Sequence, residues 1–175
     1  MIKQNIVFVE NKAGSLRKVT EILAGEKIDI YGFACFDAPE FALFRMVSSD
    51  AEKAEKVLTE NGFINRITNV IAVNVKDEVG GLDEILNVVG ESNISLDYIY
   101  TSYHRTNQIP VVILHSDEIF LTESILRNNG FKAIDSVDEL VKESGLFSAS
   151  LCGGEELYCE SNPPQSENPA EQDSF

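Results

Sequence analysis

Two short glycine-containing stretches decide the fold: Asn11-Lys12-Ala13-Gly14-Ser15-Leu16 and Asp77-Glu78-Val79-Gly80-Gly81-Leu82. Each follows an apolar run of the kind that forms a strand, and each leads into apolar positions at helical spacing. Gly14 and Gly80 lie 66 residues apart, and the apolar positions on either side match at the same spacing. A repeat at one spacing predicts that the first 140 residues contain two copies of one unit.

The two copies share one predicted order of elements, βαββαβ, which is the ferredoxin-like arrangement. The first strand and first helix are followed by a hairpin, a helix that begins near a capping Ser-Asp pair and ends at glycine, and a short last strand. The predicted strands are Ile2–Val9, Ile28–Phe36, Phe41–Val47 and Ile64–Ile67 in copy one, and Val70–Val75, Ile94–Tyr103, Gln108–His115 and Ala133–Val137 in copy two. The fold class is therefore α+β. We expect the antiparallel sheets to join side by side as eight strands, with the helices on one face.

Charge divides the chain in the same way as the repeat. The first unit, 1–68, carries 9 basic and 10 acidic side chains, whereas the second unit, 69–140, carries 4 and 12. The remaining residues, 141–175, carry 1 and 7, and from Glu160 onward they are almost entirely polar and proline-rich. Such a composition buries too little apolar surface to offset the entropy of ordering. We expect 141–175 to be an acidic, largely disordered tail.

The composition of the whole chain excludes several classes of partner. With 175 residues, 14 Lys+Arg and 29 Asp+Glu, the net charge is −15, which disfavours nucleic acid and anionic membrane surfaces. The longest apolar run, Ile109–Leu114, is too short to span a bilayer. The first residues lack the pattern of a secretory leader, and three cysteines do not form a disulfide framework. We therefore expect a cytoplasmic protein.

The glycine turns resemble those of a known family. Asn11-Lys12-Ala13-Gly14-Ser15-Leu16, between a strand and a helix, resembles the Asn-x-x-Gly-x-Leu turn of ACT domains, and Lys27-Ile28-Asp29-Ile30 is similar to the family's entry into its second strand. Asp77-Glu78-Val79-Gly80-Gly81-Leu82 and Asn93-Ile94-Ser95-Leu96 occupy the same places in copy two. ACT domains are small βαββαβ modules that bind amino acids and regulate metabolic enzymes. The resemblance implies a stand-alone tandem ACT protein with two such modules.

The turns also suggest a ligand site on chemical grounds. Glycine lets backbone N–H groups approach a ligand closely, and the positive end of a helix favours a carboxylate. An Asn or Asp beside the glycine, or the polar residue that enters strand two, is suited to an ammonium group. By resemblance, the site lies between paired modules. The candidate ligand-binding residues are Asn11, Ala13, Gly14, Ser15, Leu16, Asp29, Asp77, Val79, Gly80, Gly81, Leu82 and Ser95. The alternative is that the glycines only permit tight turns.

The two turns differ in charge at matched positions. Lys12, Arg17 and Lys18 of copy one are replaced by Glu78, Asp83 and Glu84 in copy two. This difference gives the turn of copy one a more positive electrostatic field, which suits a carboxylate better. We therefore predict that this turn is the preferred ligand site. Two alternatives remain open: the opposite charges pair the modules with each other, or the surface charge varies without selection.

Other side chains that could react or bind a ligand are assigned to packing or to solvent. Cys35 is expected in the core and His104-Arg105 at a solvated hairpin tip. Tyr98, Tyr100 and Tyr103 are expected in the core or an interface, with a ligand-binding role as the alternative. Cys152 and Cys159 have no predicted role. Neither a nucleophile–base pair, a phosphate loop nor metal-ligand spacing is present, so we predict no enzyme activity, no metal and no cofactor.

The sequence thus favours a non-catalytic amino-acid-binding sensor or regulator. The expected partners are a small-molecule amino acid, a second copy in a homodimer and a metabolic enzyme. One alternative is a regulatory subunit of an amino-acid biosynthetic enzyme similar to the small subunit of acetolactate synthase, although that subunit's second domain is not an ACT module. The other alternative is a structural pairing module without a ligand.

Overall fold

The computed structural model describes residues 1–37, 40–106 and 108–141, which form six strands, four α-helices and one short 3-10 helix. The strands are β1 (Ile2–Glu10), β2 (Ile30–Asp37), β3 (Phe41–Ser48), β4 (Asn65–Asn74), β5 (Tyr98–Tyr103) and β6 (Pro110–His115). The helices are α1 (Ser15–Gly25), α2 (Ala51–Glu60), α3 (Gly81–Glu91) and α4 (Ile119–Asn128), and the 3-10 helix is Val137–Leu140. The cysteines Cys152 and Cys159 and the predicted acidic tail beyond residue 141 lie outside the described residues.

All six strands belong to one antiparallel sheet in the order β2-β3-β1-β4-β6-β5. The central strand β4 pairs with β1 through its first part, where Val70 faces Ile2, and with β6 through its second part, where Ile71 faces Leu114. The predicted boundary between residues 68 and 69 therefore falls inside a continuous strand.

The prediction of eight strands was wrong in two places. The segments predicted as Ile64–Ile67 and Val70–Val75 form the single strand β4. Its first half pairs with β1 and its second half with β6, so the chain stays extended between them. The segment Ala133–Val137 makes only an isolated bridge between Ala133 and Val73. Ser136 then caps the 3-10 helix, accepting from the backbone of Asp138, while Glu139 accepts from the backbone of Ser136, so a helical turn replaces the predicted strand.

The four helices cover one face of the sheet. The register places Val7 beside Asn65, so Val7 and the odd-numbered residues of β4 point to the same side. On that side, Val7 and Val9 pack with α1 and α2, and Ile71 and Val73 pack with α3 and α4. The prediction that the helices share one face is confirmed, and each copy has its own helix-covered apolar cluster.

The opposite face carries a third apolar cluster, built from residues of both copies. Its buried members are Ile2, Val47, Val70, Ala72, Val111, Ile113, Ile134 and Leu140, with Tyr31, Tyr98, Tyr100 and Val137 against them. Tyr98 and Tyr100 thus pack against a core, as predicted, whereas Tyr103 is exposed. The edge strands β2 and β5 approach each other across this face, and the Ser102 hydroxyl donates to the Tyr31 carbonyl over 2.6 Å. A Cβ at Gly32 would lie 2.9 Å from the Ser102 Cβ, so only glycine permits this approach.

Three local predictions were wrong because they depended on tertiary packing. Cys35 is exposed, since it lies on edge strand β2 beyond the cover of the helices. His104 is buried, with 5% of its surface exposed, because the chain around the 3-10 helix folds over it. Helix α4 begins after Glu118 without a side-chain cap, whereas Asp50 caps α2 by accepting from Lys53 N over 2.9 Å.

Candidate functional site

The first glycine turn forms an uncapped helix start. Gly14 has φ of 84°, a left-handed conformation that glycine adopts without strain, and no side chain caps the N-terminus of α1. Asn11, Ala13 and Leu16 are exposed, and the Asn11 amide donates to Asp37 Oδ1 over 3.1 Å. The N-terminal amides of α1 are therefore free of side-chain competition, as an anion site at a helix end requires.

A cavity of about 460 Å³ lies beside this first turn. Ser15 and Lys18 from α1 and Glu10 from β1 supply its polar lining, and its apolar wall is formed by Phe8, Val9, Phe41, Phe63 and Ile64. Glu10 is held by Lys12 at 2.8 Å, and this hydrogen bond keeps the pKa of the Glu10 carboxyl below its usual range. The cavity thus combines a cation, a carboxylate and an apolar surface within one copy.

The second turn is built more tightly than the first. Gly80 has φ of 97°, and α3 also lacks a side-chain cap. Gly81, the first residue of α3, lies so close to the preceding backbone that a Cβ would be 2.3 Å from the Lys76 carbonyl oxygen. Glycine at position 81 is therefore required by packing alone. Val79 is fully exposed and Leu82 is 44% exposed.

A larger cavity, of about 840 Å³, lies where the two copies meet. Copy one contributes β2, and copy two contributes β5, the turn that follows it and Asp77 of the second glycine turn. The lining residues are Ile30, Tyr31, Gly32, Phe33, Asp77, Thr101, Ser102, Tyr103, His104, Arg105 and Gln108. Asp77 is exposed, and no hydrogen bond or ion pair engages it within the described part of the chain.

Arg105 fixes one side of the larger cavity through contacts across the two copies. Its guanidinium donates to both carboxylate oxygens of Asp29, at 2.6 and 2.9 Å, and to the Ile30 carbonyl at 2.9 Å. It also lies 5.0 Å from the centre of the Tyr31 ring. Asp29, predicted to contact a ligand, thus orients a cation at the cavity wall.

His104 is a cavity residue that sequence reasoning assigned to solvent. Its Nδ1 lies 2.9 Å from the Glu139 carbonyl oxygen, and its Nε2 lies 2.7 Å from Asn74 Oδ1. These partners are 35 and 30 residues away in the sequence, so no local pattern signals the contact. Through these two contacts, His104 connects β4 and the 3-10 helix to the wall of the larger cavity.

The predicted ligand residues lie partly in the two cavities and partly outside them. Asp77 lines the larger cavity, Ser15 lines the smaller one, and Asp29 holds Arg105. Ser95 is exposed at the entry to β5. The predicted residues that line neither cavity are Asn11, Ala13, Gly14, Leu16, Asp29, Val79, Gly80, Gly81, Leu82 and Ser95.

No group of three or more His, Cys, Asp or Glu side chains within residues 1–37, 40–106 and 108–141 is placed to hold a metal ion. In the same ranges, no helix is both long enough and apolar enough to cross a membrane.

Comparison with known proteins identifies the family. The family model described as an ACT domain pair matches residues 1–145, and the chain belongs to this family. The family's modules are regulatory rather than catalytic, which agrees with the absence of a recognisable catalytic motif in the sequence. No curated protein matches the sequence significantly.

Solved structures share the fold. Protein BT0572 from Bacteroides thetaiotaomicron is 27% identical, with a TM-score of 0.70 over 76% of this chain and 91% of that chain. The ligand-free regulatory subunit of aspartate kinase from Thermus thermophilus is 14% identical, with a TM-score of 0.51 over 72% and 90% of the two chains. Aspartate kinase from Synechocystis is 16% identical, with a TM-score of 0.50 over 76% of this chain and 26% of that chain.

Proposed function

We propose that this ACT domain pair is a non-catalytic sensor that binds a free amino acid in the larger cavity, between β2 and β5. The observation that carries the proposal is the lining of that cavity by both copies, with a carboxylate and a cation among the lining residues. A ligand bound there contacts both copies at once. Its binding free energy therefore favours whichever arrangement of the copies completes the contacts.

The polar groups of the cavity match the two charged ends of an amino acid. Asp77, which has no partner in the described residues, accepts from the ammonium group, and Arg105, oriented by Asp29, donates to the carboxylate. Tyr31, Phe33 and Tyr103 offer aromatic surface for the side chain of the ligand. Phe33 and Tyr103 are 61% and 56% exposed without a ligand, so binding buries apolar surface that now faces water.

The cavity beside the first turn supports a second site for the same class of ligand. Lys18 and the α1 amides that no side chain caps suit a carboxylate, and Glu10 suits an ammonium group. This is the site that the charge pattern of the sequence favours. The larger cavity is preferred here because residues from both copies line it, which is what a regulatory module needs.

A screen of the twenty amino acids by thermal shift tests the proposal with the full chain. A ligand at about 100 times its Kd stabilises the folded state by about 2.7 kcal/mol, so one or a few amino acids should raise Tm clearly. No shift with any amino acid at millimolar concentration favours a structural pairing module. Co-purification with a synthase favours a dedicated regulatory subunit.

Calorimetric titration of variants locates the site. Asp77→Asn should weaken binding of the selected amino acid at least about tenfold, because a hydrogen bond to a charged group contributes about 1.5–3 kcal/mol. Glu78→Gln is the matched control, since it removes the same charge one residue away and does not line the cavity. If Lys18→Gln abolishes binding and Asp77→Asn does not, the ligand binds at the first turn.

The regulatory role includes assembly with a second copy and with a metabolic enzyme. Light scattering after size exclusion, with and without the selected amino acid, measures the mass of the assembly directly. A monomer mass in both conditions would exclude the homodimer. Partners captured only in the presence of the amino acid would support regulation through binding.

A further inference from the structure

A third cavity, of about 420 Å³, lies on the sheet face opposite the helices and has no part in the proposed amino-acid site. Its floor includes one residue from each of three neighbouring strands: Ile6 of β1 pairs with Arg45 of β3 and with Arg66 of β4. Paired residues of antiparallel strands point to the same face. Arg45 and Arg66 therefore lie on either side of Ile6, on strands whose backbones are each about 5 Å from that of β1.

The guanidinium of Arg45 is fixed in place by aromatic stacking. It lies 3.7 Å from the centre of the Tyr98 ring, and Tyr98 stacks on His115 with ring centres 5.2 Å apart and planes 7° from parallel. The stack holds a cation at the cavity but supplies no hydrogen-bond acceptor. Arg45 Nε and Nη1 are buried and have no acceptor among the described residues. Buried donors without partners are costly, so this arrangement calls for a nearby anion.

The distribution of ion pairs sets these two arginines apart. Of the five arginines in the chain, three form salt bridges with carboxylates, namely Arg17, Arg105 and Arg127. The other two, Arg45 and Arg66, form none within the described residues, and both line this cavity. In a chain with about twice as many acidic as basic side chains, two arginines without a salt bridge at one cavity are unusual.

Two carboxylates, Asp97 and Asp117, share the lining with the arginines, and no salt bridge joins them to Arg45 or Arg66 within the described residues. Asp97 is engaged by His115, whose Nδ1 lies 2.7 Å from Asp97 Oδ2. Asp117 is exposed, and Thr68 adds a hydroxyl that can donate. The lining thus combines two cations with two carboxylates, of which Asp97 is engaged by His115 and Asp117 is exposed.

We propose that this cavity binds the oxyanion group of a small molecule, either a phosphate or a carboxylate. Arg66 and the Thr68 hydroxyl donate to the oxyanion, Arg45 is the fixed cation behind it, and Asp117 accepts from a hydroxyl or ammonium group of the same molecule. The site shares no residue with the larger cavity, so it operates whether or not an amino acid binds there.

Calorimetric titration of the full chain with inorganic phosphate and with acetate, at constant ionic strength, tests the site. We expect saturable binding of at least one anion, and the anion that binds identifies the recognised group. Arg66→Gln should weaken it at least about tenfold, the effect of losing one charge-assisted hydrogen bond. Lys132→Gln is the matched control, because Lys132 is also exposed, forms no salt bridge in the described residues and lies outside the cavity. Equal weakening in both variants, or no saturation by about 10 mM of either anion, overturns the proposal.

Nuclear magnetic resonance gives a second readout that avoids substituting the stacked Arg45. The ¹H–¹⁵N resonance of Arg45 Nε should move during the titration with the Kd found by calorimetry. Saturable binding that leaves this resonance unmoved places the anion elsewhere and contradicts the proposal. Asp77→Asn should leave anion binding unchanged, so failure of the amino-acid site and failure of this site are distinguishable.

Discussion

Replacing Gly81 by alanine should destabilise the protein strongly, although alanine is the better helix former. Gly81 is the first residue of α3, and its backbone lies against the strand end that precedes the turn. An added Cβ would lie 2.3 Å from the Lys76 carbonyl oxygen and 3.1 Å from Val75 Cγ1. The first of these neighbours is backbone, so relief requires the turn itself to move.

The expected loss of stability in Gly81→Ala follows from the cost of overpacking. Extra methyl groups in well-packed sites cost about 1–3 kcal/mol, and a clash with backbone belongs at the upper end of that range. For a folded part of this size, about 3 kcal/mol lowers Tm by about 9 °C. The shift should appear without any ligand, because it arises from packing.

Gly90→Ala is the matched control in the same helix. Nothing lies within 4 Å of its added Cβ, and glycine in a helix interior is about 0.5–1 kcal/mol less favourable than alanine. Differential scanning calorimetry should therefore show a slightly higher Tm for Gly90→Ala and a much lower one for Gly81→Ala. If Gly81→Ala melts within about 1 °C of the unaltered chain, the close approach does not constrain the turn, and the packing requirement at Gly81 is refuted.

Three further predictions concern the cores and caps. Tyr100→Phe should cost about 1 kcal/mol at neutral pH, because the hydroxyl donates to Gln4 Oε1 over 2.7 Å and Gln4 is fully buried. Burial raises the pKa of Tyr100, so above about pH 10 the unfolded chain loses this proton before the folded one, and urea titrations should show the deficit shrinking as pH rises. Asp50→Ala should cost about 1 kcal/mol by removing the acceptor for Lys53 N, whereas Asp50→Asn should retain most of the cap. Leu140→Ala should cost about 2–5 kcal/mol in chemical denaturation, since Leu140 is fully buried; a smaller loss would mean that the 3-10 helix is not part of the core.

Local patterns predicted the elements of this fold well. The apolar alternation of Ile2–Val9 and the helical spacing after Gly14 depend only on which side chains avoid water, and β1 and α1 formed as expected. The repeat at a spacing of 66 residues predicted two copies, and the shared helix-covered face followed from the order βαββαβ. The glycine turns were identified because a left-handed residue at a helix start restricts the choice of side chain.

The cavities were less predictable because they depend on side chains distant in the sequence. Asp29 was selected as a ligand contact from its place at a strand entry, yet it binds Arg105, 76 residues away. His104 was assigned to solvent because it was predicted at a hairpin tip, and it is buried by the chain around Glu139. Neither the contact of Asp29 with Arg105 nor that of His104 with Glu139 produces a periodic pattern in the sequence.

The sequence by itself determined that this protein contains two copies of a βαββαβ unit, because periodic burial and turn chemistry are local properties that repeat. The ACT family came from the resemblance of the glycine turns and from the family match. Only the tertiary structure decided how the modules share their surfaces. It merged two predicted strands into β4, because one extended segment satisfies partners on both sides, and it brought β2 against β5 where Gly32 permits close approach. The larger cavity and the placement of Arg45 and Arg66 on either side of Ile6 result from strand pairing, because pairing, rather than sequence spacing, sets which side chains lie close together.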